Sequence, residues 1–167
     1  MAHPLDGIWA KFQRAEENIN NLNIEITNFL RSLSSHQKIV GDHRNDGLEY
    51  VLVAYGDTEV PLRFAVLAGE IIHHLRSCLD HLVHALVIQN GVTPTNKNQF
   101  PICSTAANFE KQCKMGRIDG VSETAKKLIM AVQPYTTPTP SDTVLAILHK
   151  YDIDDKHKLL PVVTTVV

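Results

Sequence analysis

The residues of this chain best suited to chemistry lie between Glu70 and His84. The stretch reads Glu70-Ile71-Ile72-His73-His74-Leu75-Arg76-Ser77-Cys78-Leu79-Asp80-His81-Leu82-Val83-His84. On a helical wheel at about 100° per residue, Phe64, Ala68, Ile71, Ile72, Leu75, Cys78, Leu79, Leu82, Val83 and Leu86 fall on one broad side. Glu70, His73, His74, Arg76, Ser77, Asp80, His81 and His84 fall on the other. A solvated helix face is usually filled with Lys and Glu. This one holds four histidines, one Arg, one Asp, one Glu and no lysine. Histidine titrates near neutral pH, binds metals and moves protons, so four within twelve residues point to a partly shielded pocket.

Two chemistries can be built here from the residues alone. Arg76 and His81 are separated by four residues. An arginine fork suits oxyanions such as phosphate, and a histidine can act as general base or acid; Asp80 and His157 would support that pair. Alternatively, His73, Asp80 and His84 lie within about 40° of one another on the wheel. Imidazole and carboxylate suit one divalent transition metal such as zinc, iron, nickel or manganese. One helix rarely supplies every ligand, so His149 or His157 would have to complete the set. The Glu-x-x-His of di-iron bundles occurs once, at Glu70–His73, where that pattern needs two copies. A third reading is a protein-interaction module with no active site.

The spacing of Arg76 and His81 resembles the R-x4-6-H motif of the HEPN superfamily, helical bundles many of which are metal-independent ribonucleases. The resemblance covers the two long helices described below, roughly half the chain. It implies a bundle with the motif in a long helix, cleavage of RNA or binding of a nucleotide without any cofactor, contact with the scissile phosphate by Arg76, proton transfer at a ribose hydroxyl or leaving oxygen by His81, and a pair of copies across a homodimer. The whole chain also resembles a group of bacterial helical proteins that combine an Arg-Ser-x-Leu-Asp-His helix, a Phe-Pro-Ile segment and a Gln-Pro-Tyr followed by Asp-Lys-His. Here these are Arg76–His81, Phe100–Ile102, Gln133–Tyr135 and Asp155–His157. That second resemblance brings no function with it.

The elements that must position these residues are legible by period. From Ile8 the apolar positions Phe12, Ala15, Ile19, Leu22, Ile26, Phe29 and Leu33 step by fours and threes, a heptad seam. It predicts a helix of about 28 residues, roughly 42 Å long, whose seam could also serve a homodimer. Residues 36–47 read as a loop, and 48–55, rich in β-branched and aromatic residues, as a strand. A second long helix is expected over 61–89, capped by Thr58 and stopped by Asn90-Gly91. Two helices of similar length suggest an antiparallel hairpin. Short helices are expected at 105–114 and 122–132, then an extended proline-rich connection over 133–141 and a helix at 142–150 capped by Ser141. The mixed-charge run Asp152-Ile153-Asp154-Asp155-Lys156-His157-Lys158 reads either as a solvated acidic turn or as one whose Asp155, Lys156 or His157 folds back onto the 70–84 face. Residues 159–167 read as a strand paired with 48–55. The expected fold is therefore mainly α, a helical bundle on two long antiparallel helices with a small accessory β-sheet. It forms one domain over 1–167, and its β-branched end suggests continuation beyond Val167.

Composition narrows the rest. A chain of 167 residues that is 44% apolar can bury a real core. Sixteen basic residues against eighteen acidic ones, with no long basic run, exclude a broad grip on duplex DNA. Cys78, Cys103 and Cys113 match no zinc spacing, and free thiols fit a reducing compartment. Met1–Lys11 lacks the pattern of a signal peptide, and no apolar stretch is long enough to span a membrane. A cytoplasmic location is the expectation.

Overall fold

The computed structural model describes residues 3–32, 39–44, 49–54 and 60–158. The chain is mainly helical, with α1 (Asp6–Ser32), β1 (Ile39–Arg44), β2 (Glu49–Ala54), α2 (Leu62–Gln89), α3 (Ala106–Lys114), α4 (Glu123–Ala131) and α5 (Val144–His157) in chain order. Among the described residues no helix is long and apolar enough to cross a membrane.

The hairpin of long helices forms as its periodicity demands. The Cys78 thiol donates to the Ile8 carbonyl at 3.5 Å, Asn18 donates to Glu70 at 2.9 Å, and Arg63 donates to Glu25 at 2.7 Å. Phe29 meets Phe64 edge-on at 5.6 Å between ring centroids. Sequence numbers rise along α1 as they fall along α2, so the helices are antiparallel. The heptad seam divides between two surfaces. Ala15 is buried and Leu22 and Phe29 are half-buried, whereas Phe12 and Ile19 stay 44% and 40% exposed. Leu33, the last seam position, lies outside the described residues.

Helix α2 begins at Leu62, one residue later than expected, with Pro61 in the capping position and no side-chain cap. The expected cap, Thr58, lies outside the described residues. Its C-terminus is a Schellman stop: Gly91 takes a φ of +75°, and the Val92 and Gly91 amides donate back to Val87 and Ile88 at 3.1 and 2.9 Å. A left-handed residue is needed there, and glycine supplies it without steric penalty.

The accessory sheet expected from residues 48–55 and 159–167 is not supported. Strand Glu49–Ala54 pairs antiparallel with Ile39–Arg44, from Ile39 opposite Ala54 to Arg44 opposite Glu49. The whole of that partner falls in the segment read as a loop. Only four residues separate the two strands, and a local hairpin closes at less entropic cost than pairing with a segment a hundred residues away. Residues 159–167 lie outside the described ones.

The short helices fall close to their expected bounds because their caps are strong. The Thr105 and Ser122 hydroxyls accept from the Asn108 and Ala125 amides at 3.2 and 3.3 Å. The proline-rich connection is two 3-10 turns, Pro134–Thr136 and Pro140–Asp142, rather than extended chain. Helix α5 starts after Thr143, which replaces Ser141 as the cap, and runs to His157. The segment read as an acidic turn is therefore its last two turns. Two acid-to-base pairs four residues apart, Asp152–Lys156 at 2.6 Å and Asp154–Lys158 at 3.4 Å, favour the helix there. The core gathers Val83, Val87, Phe100, Phe109, Ile118 and Ile129 around the C-terminal half of α2.

Candidate functional site

Helix α2 has neighbours on two sides, and this splits the polar face read from its sequence. Helix α1 covers the edge carrying Glu70, His74, Cys78 and His81. A Cβ added at Gly7 would lie 3.9 Å from His81 Nδ1. Helix α5 runs antiparallel along the other edge, setting Asp155 against Gly69 and Asp152 toward His73.

Arg76 lies on the α5 side and is buried. Its Nη1 donates to Asp80 Oδ1 at 2.7 Å and its Nη2 donates to the Phe100 carbonyl at 2.9 Å. The Phe100 amide in turn donates to Asp80 Oδ1 at 2.8 Å. One arginine and one aspartate, a helical turn apart, thus hold both backbone polar groups of a single loop residue. Charge-assisted bonds of this kind are short and directional. Three residues further on, fully buried Gln133 repeats the device. The Cys103 amide donates to its Oε1 at 3.0 Å, and its Nε2 donates to the Pro101 and Ile129 carbonyls at 2.9 and 3.0 Å. The Tyr135 amide also donates to the Cys103 carbonyl at 3.3 Å. The Arg-Ser-x-Leu-Asp, Phe-Pro-Ile and Gln-Pro-Tyr elements of the sequence are thus one clamp on residues 100–103.

Compared with family models, curated proteins and solved structures, the chain matches none.

The remaining site residues separate. His81 is exposed on the α1 side, and side chains five apart on a helix point about 140° from each other. It therefore does not share a surface with Arg76. Partial burial first, then the Lys11 ammonium, pushes the His81 imidazole below its ordinary value. The same two causes act on His74, whose Nδ1 is buried without a partner. His73 is exposed, with Nδ1 3.9 Å from the buried carboxylate of Asp152. His84 Nε2 meets the Asn98 carbonyl at 3.1 Å. His157 sits exposed at the end of α5, near the level of Gly69, and is not brought to Arg76 or His81.

For the metal reading, His73, Asp80 and His84 each engage a different partner, and His73 and Asp80 stand about 10 Å apart along the helix axis. Among the described residues no group of three or more His, Cys, Asp or Glu side chains is arranged to hold a metal ion. His149, a candidate fourth ligand, does face α2. Burial first, and Arg76 next, lower its pKa, and its Nδ1 is buried without a partner. Burial likewise raises the thiols of Cys78, Cys103 and Cys113.

Three structural residues escaped the sequence reading. Gln133 stands in the sequence as the start of the Gln-Pro-Tyr element and of the proline-rich connection, with no role attached to its side chain. Asn98 is buried, accepting from the Thr95 amide at 2.7 Å and donating to the Asp119 carbonyl at 2.9 Å. Asp152 is buried in a run that reads as solvated. None has a periodic signature, because each bonds irregular backbone or a neighbouring helix.

Proposed function

We propose that this chain is a non-catalytic protein-interaction module that associates with a second copy of itself along the outward edge of α1. The observation that carries the reading is the state of that edge: Trp9, Phe12 and Ile19 are 59%, 44% and 40% exposed. Phe12 and Ile19 are heptad positions seven apart, with Trp9 one turn before them and packed edge-on against Phe12 at 6.0 Å. A second α1 laid along this stripe would bury them as knobs in holes. The engagement of Arg76 supports the non-catalytic part, since both of its Nη atoms are held inside the fold. Sedimentation equilibrium of the full chain is expected to give a dimer, and Phe12→Glu with Ile19→Lys a folded monomer. A wild-type monomer at about 100 μM, far above the dissociation constant of a specific dimer, sinks the reading.

A second reading keeps the HEPN-like nucleic-acid site but recentres it on His81. It is favoured by one observation: His81 is exposed within reach of the Lys11 ammonium, and partial burial first, then that ammonium, lowers its pKa. A neutral imidazole next to a cation can take a proton from a ribose hydroxyl while the cation attracts phosphate. In this reading Arg76 is a positioning residue. Cleavage of single-stranded RNA in the presence of a chelator, lost in His81→Ala at unchanged melting temperature, would support it. An uncleaved substrate would end it.

A further inference from the structure

The clamp on residues 100–103 fixes one wall of a cleft. Ile102 and Ser104 form that wall, and the facing wall is one stripe of α5, namely Ala146, His149, Lys150 and Ile153. Ser141 and Asp154 stand at its ends, and the cleft has a volume of about 380 Å³, within the range that encloses small organic ligands. Its surface is mostly apolar, from Ile102, Ala146 and Ile153, with a few hydrogen-bonding groups convergent on it. That composition is shared with small-molecule sites.

The polar groups are mainly donors. His149 makes no hydrogen bond to any described residue, and its Nδ1 is buried. With Nδ1 buried, the nitrogen left to a ligand is Nε2, and the site proposed below takes the ring proton to be there. The Ser104 hydroxyl lies on the same wall as Ile102. Exposed Lys150 also lines the cleft, its ammonium 5.6 Å from the Tyr151 ring centroid. The one acid, Asp154, is paired with Lys158 at 3.4 Å. An imidazole N–H, a hydroxyl and an ammonium beside an apolar floor complement a small anion with a hydrocarbon tail. We infer that the cleft between α5 and the clamped 100–104 segment is a binding site for a small aliphatic monocarboxylate. The carboxylate faces His149 and Lys150, and the chain lies on Ile102, Ala146 and Ile153. On this inference Arg76, Asp80 and Gln133 are positioning residues that keep the wall rigid before the ligand arrives.

The test is a nuclear magnetic resonance titration of the full chain with sodium hexanoate, and with 1-hexanol as the uncharged control. Saturable shifts are expected at the Ile102, Ala146 and Ile153 methyls and at the His149 ring. Hexanoate should bind about tenfold more tightly than hexanol, the value of one charge-assisted hydrogen bond. His149→Phe keeps the ring and removes the donor, and is expected to weaken hexanoate about tenfold while leaving hexanol unchanged. Ala146→Leu fills the cleft from the helix surface and is expected to abolish both. It keeps the test decisive should His149→Phe fail to fold. No saturable shift with hexanoate overturns the site, and equal binding of the two probes overturns the carboxylate.

Discussion

At the scale of single residues, the side chain best placed by its sequence for phosphate chemistry is the one most firmly committed to structure. Arg76→Ala would leave the Phe100 carbonyl without its partner, and Asp80 Oδ1 with the Phe100 amide but without its cation, in a largely buried setting. Removing one member of such a network costs about 2–4 kcal/mol. The expected outcome is a lower urea midpoint with unchanged slope. Arg76→Lys should recover little of it, because an ammonium cannot reproduce the fork that reaches Asp80 and Phe100 together. Equal stability of wild type and Arg76→Ala would show that the clamp contributes nothing. Titration at this scale has a definite sign. His74, His81 and His149 all have pKa values lowered from 6.5 in the folded chain. The unfolded chain therefore takes up protons near pH 6.5 while the folded chain still resists them. Their contribution is fully present above that pH and is lost as the pH falls below it toward the folded values. Thermal melts at pH 7.5 and 5.5 should show the lower melting temperature at 5.5, and His149→Gln should narrow the gap.

At the scale of elements, the contact between α2 and α5 depends on Gly69. A Cβ there would overlap the Asp155 carboxylate. In an exposed helix Gly→Ala gains about 1 kcal/mol; here the Asp155 carboxylate, the free end of a side chain, has to swing aside first. Gly69→Ala is therefore expected to fall short of that gain. Asp155→Ala in the same chain should restore it, read as a coupling in a double-mutant cycle of thermal melts. This is also the scale at which the sequence was most readable. The seam from Ile8 to Phe29 and the apolar side of 64–86 revealed the two long helices, because a period is a local property. The bounds 105–114 and 122–132 and the Asn90-Gly91 stop fall within a residue or two of the observed ends, because caps and stops are local too, whereas Ser141 yields the cap of α5 to Thr143. The β1 partner strand and the last two turns of α5 were missed for the opposite reason. Ile39–Arg44 holds a glycine and three charged or histidine residues that read as loop, and becomes a strand only because β2 lies four residues away. Asp152–His157 reads as solvated until α2 buries Asp152.

At the scale of the whole molecule, a helical wheel drawn for one helix cannot tell how many neighbours that helix will have. The polar side of α2 was legible as a set of residues. Its division into an α1 edge with His74 and His81, and an α5 edge with Gly69, His73 and Arg76, was not. That division separates Arg76 from His81 and scatters His73, Asp80 and His84 among different partners. Elemental analysis of the purified chain with and without His84→Ala bears directly on the metal reading. A stoichiometric metal lost in the variant would restore it, with ligands supplied from outside the set described.

The loop residues Phe100 and Cys103 have one more consequence. Their amides are held by Asp80 and by Gln133, neither of which belongs to the loop. Loops ordinarily open with little free energy and exchange their amide hydrogens quickly. These two amides can meet solvent only when α2 shifts Asp80 or the end of α4 releases Gln133. Residues 100–103, irregular in their dihedral angles, therefore belong kinetically to the helical framework, and their slow exchange would time the opening of the core itself.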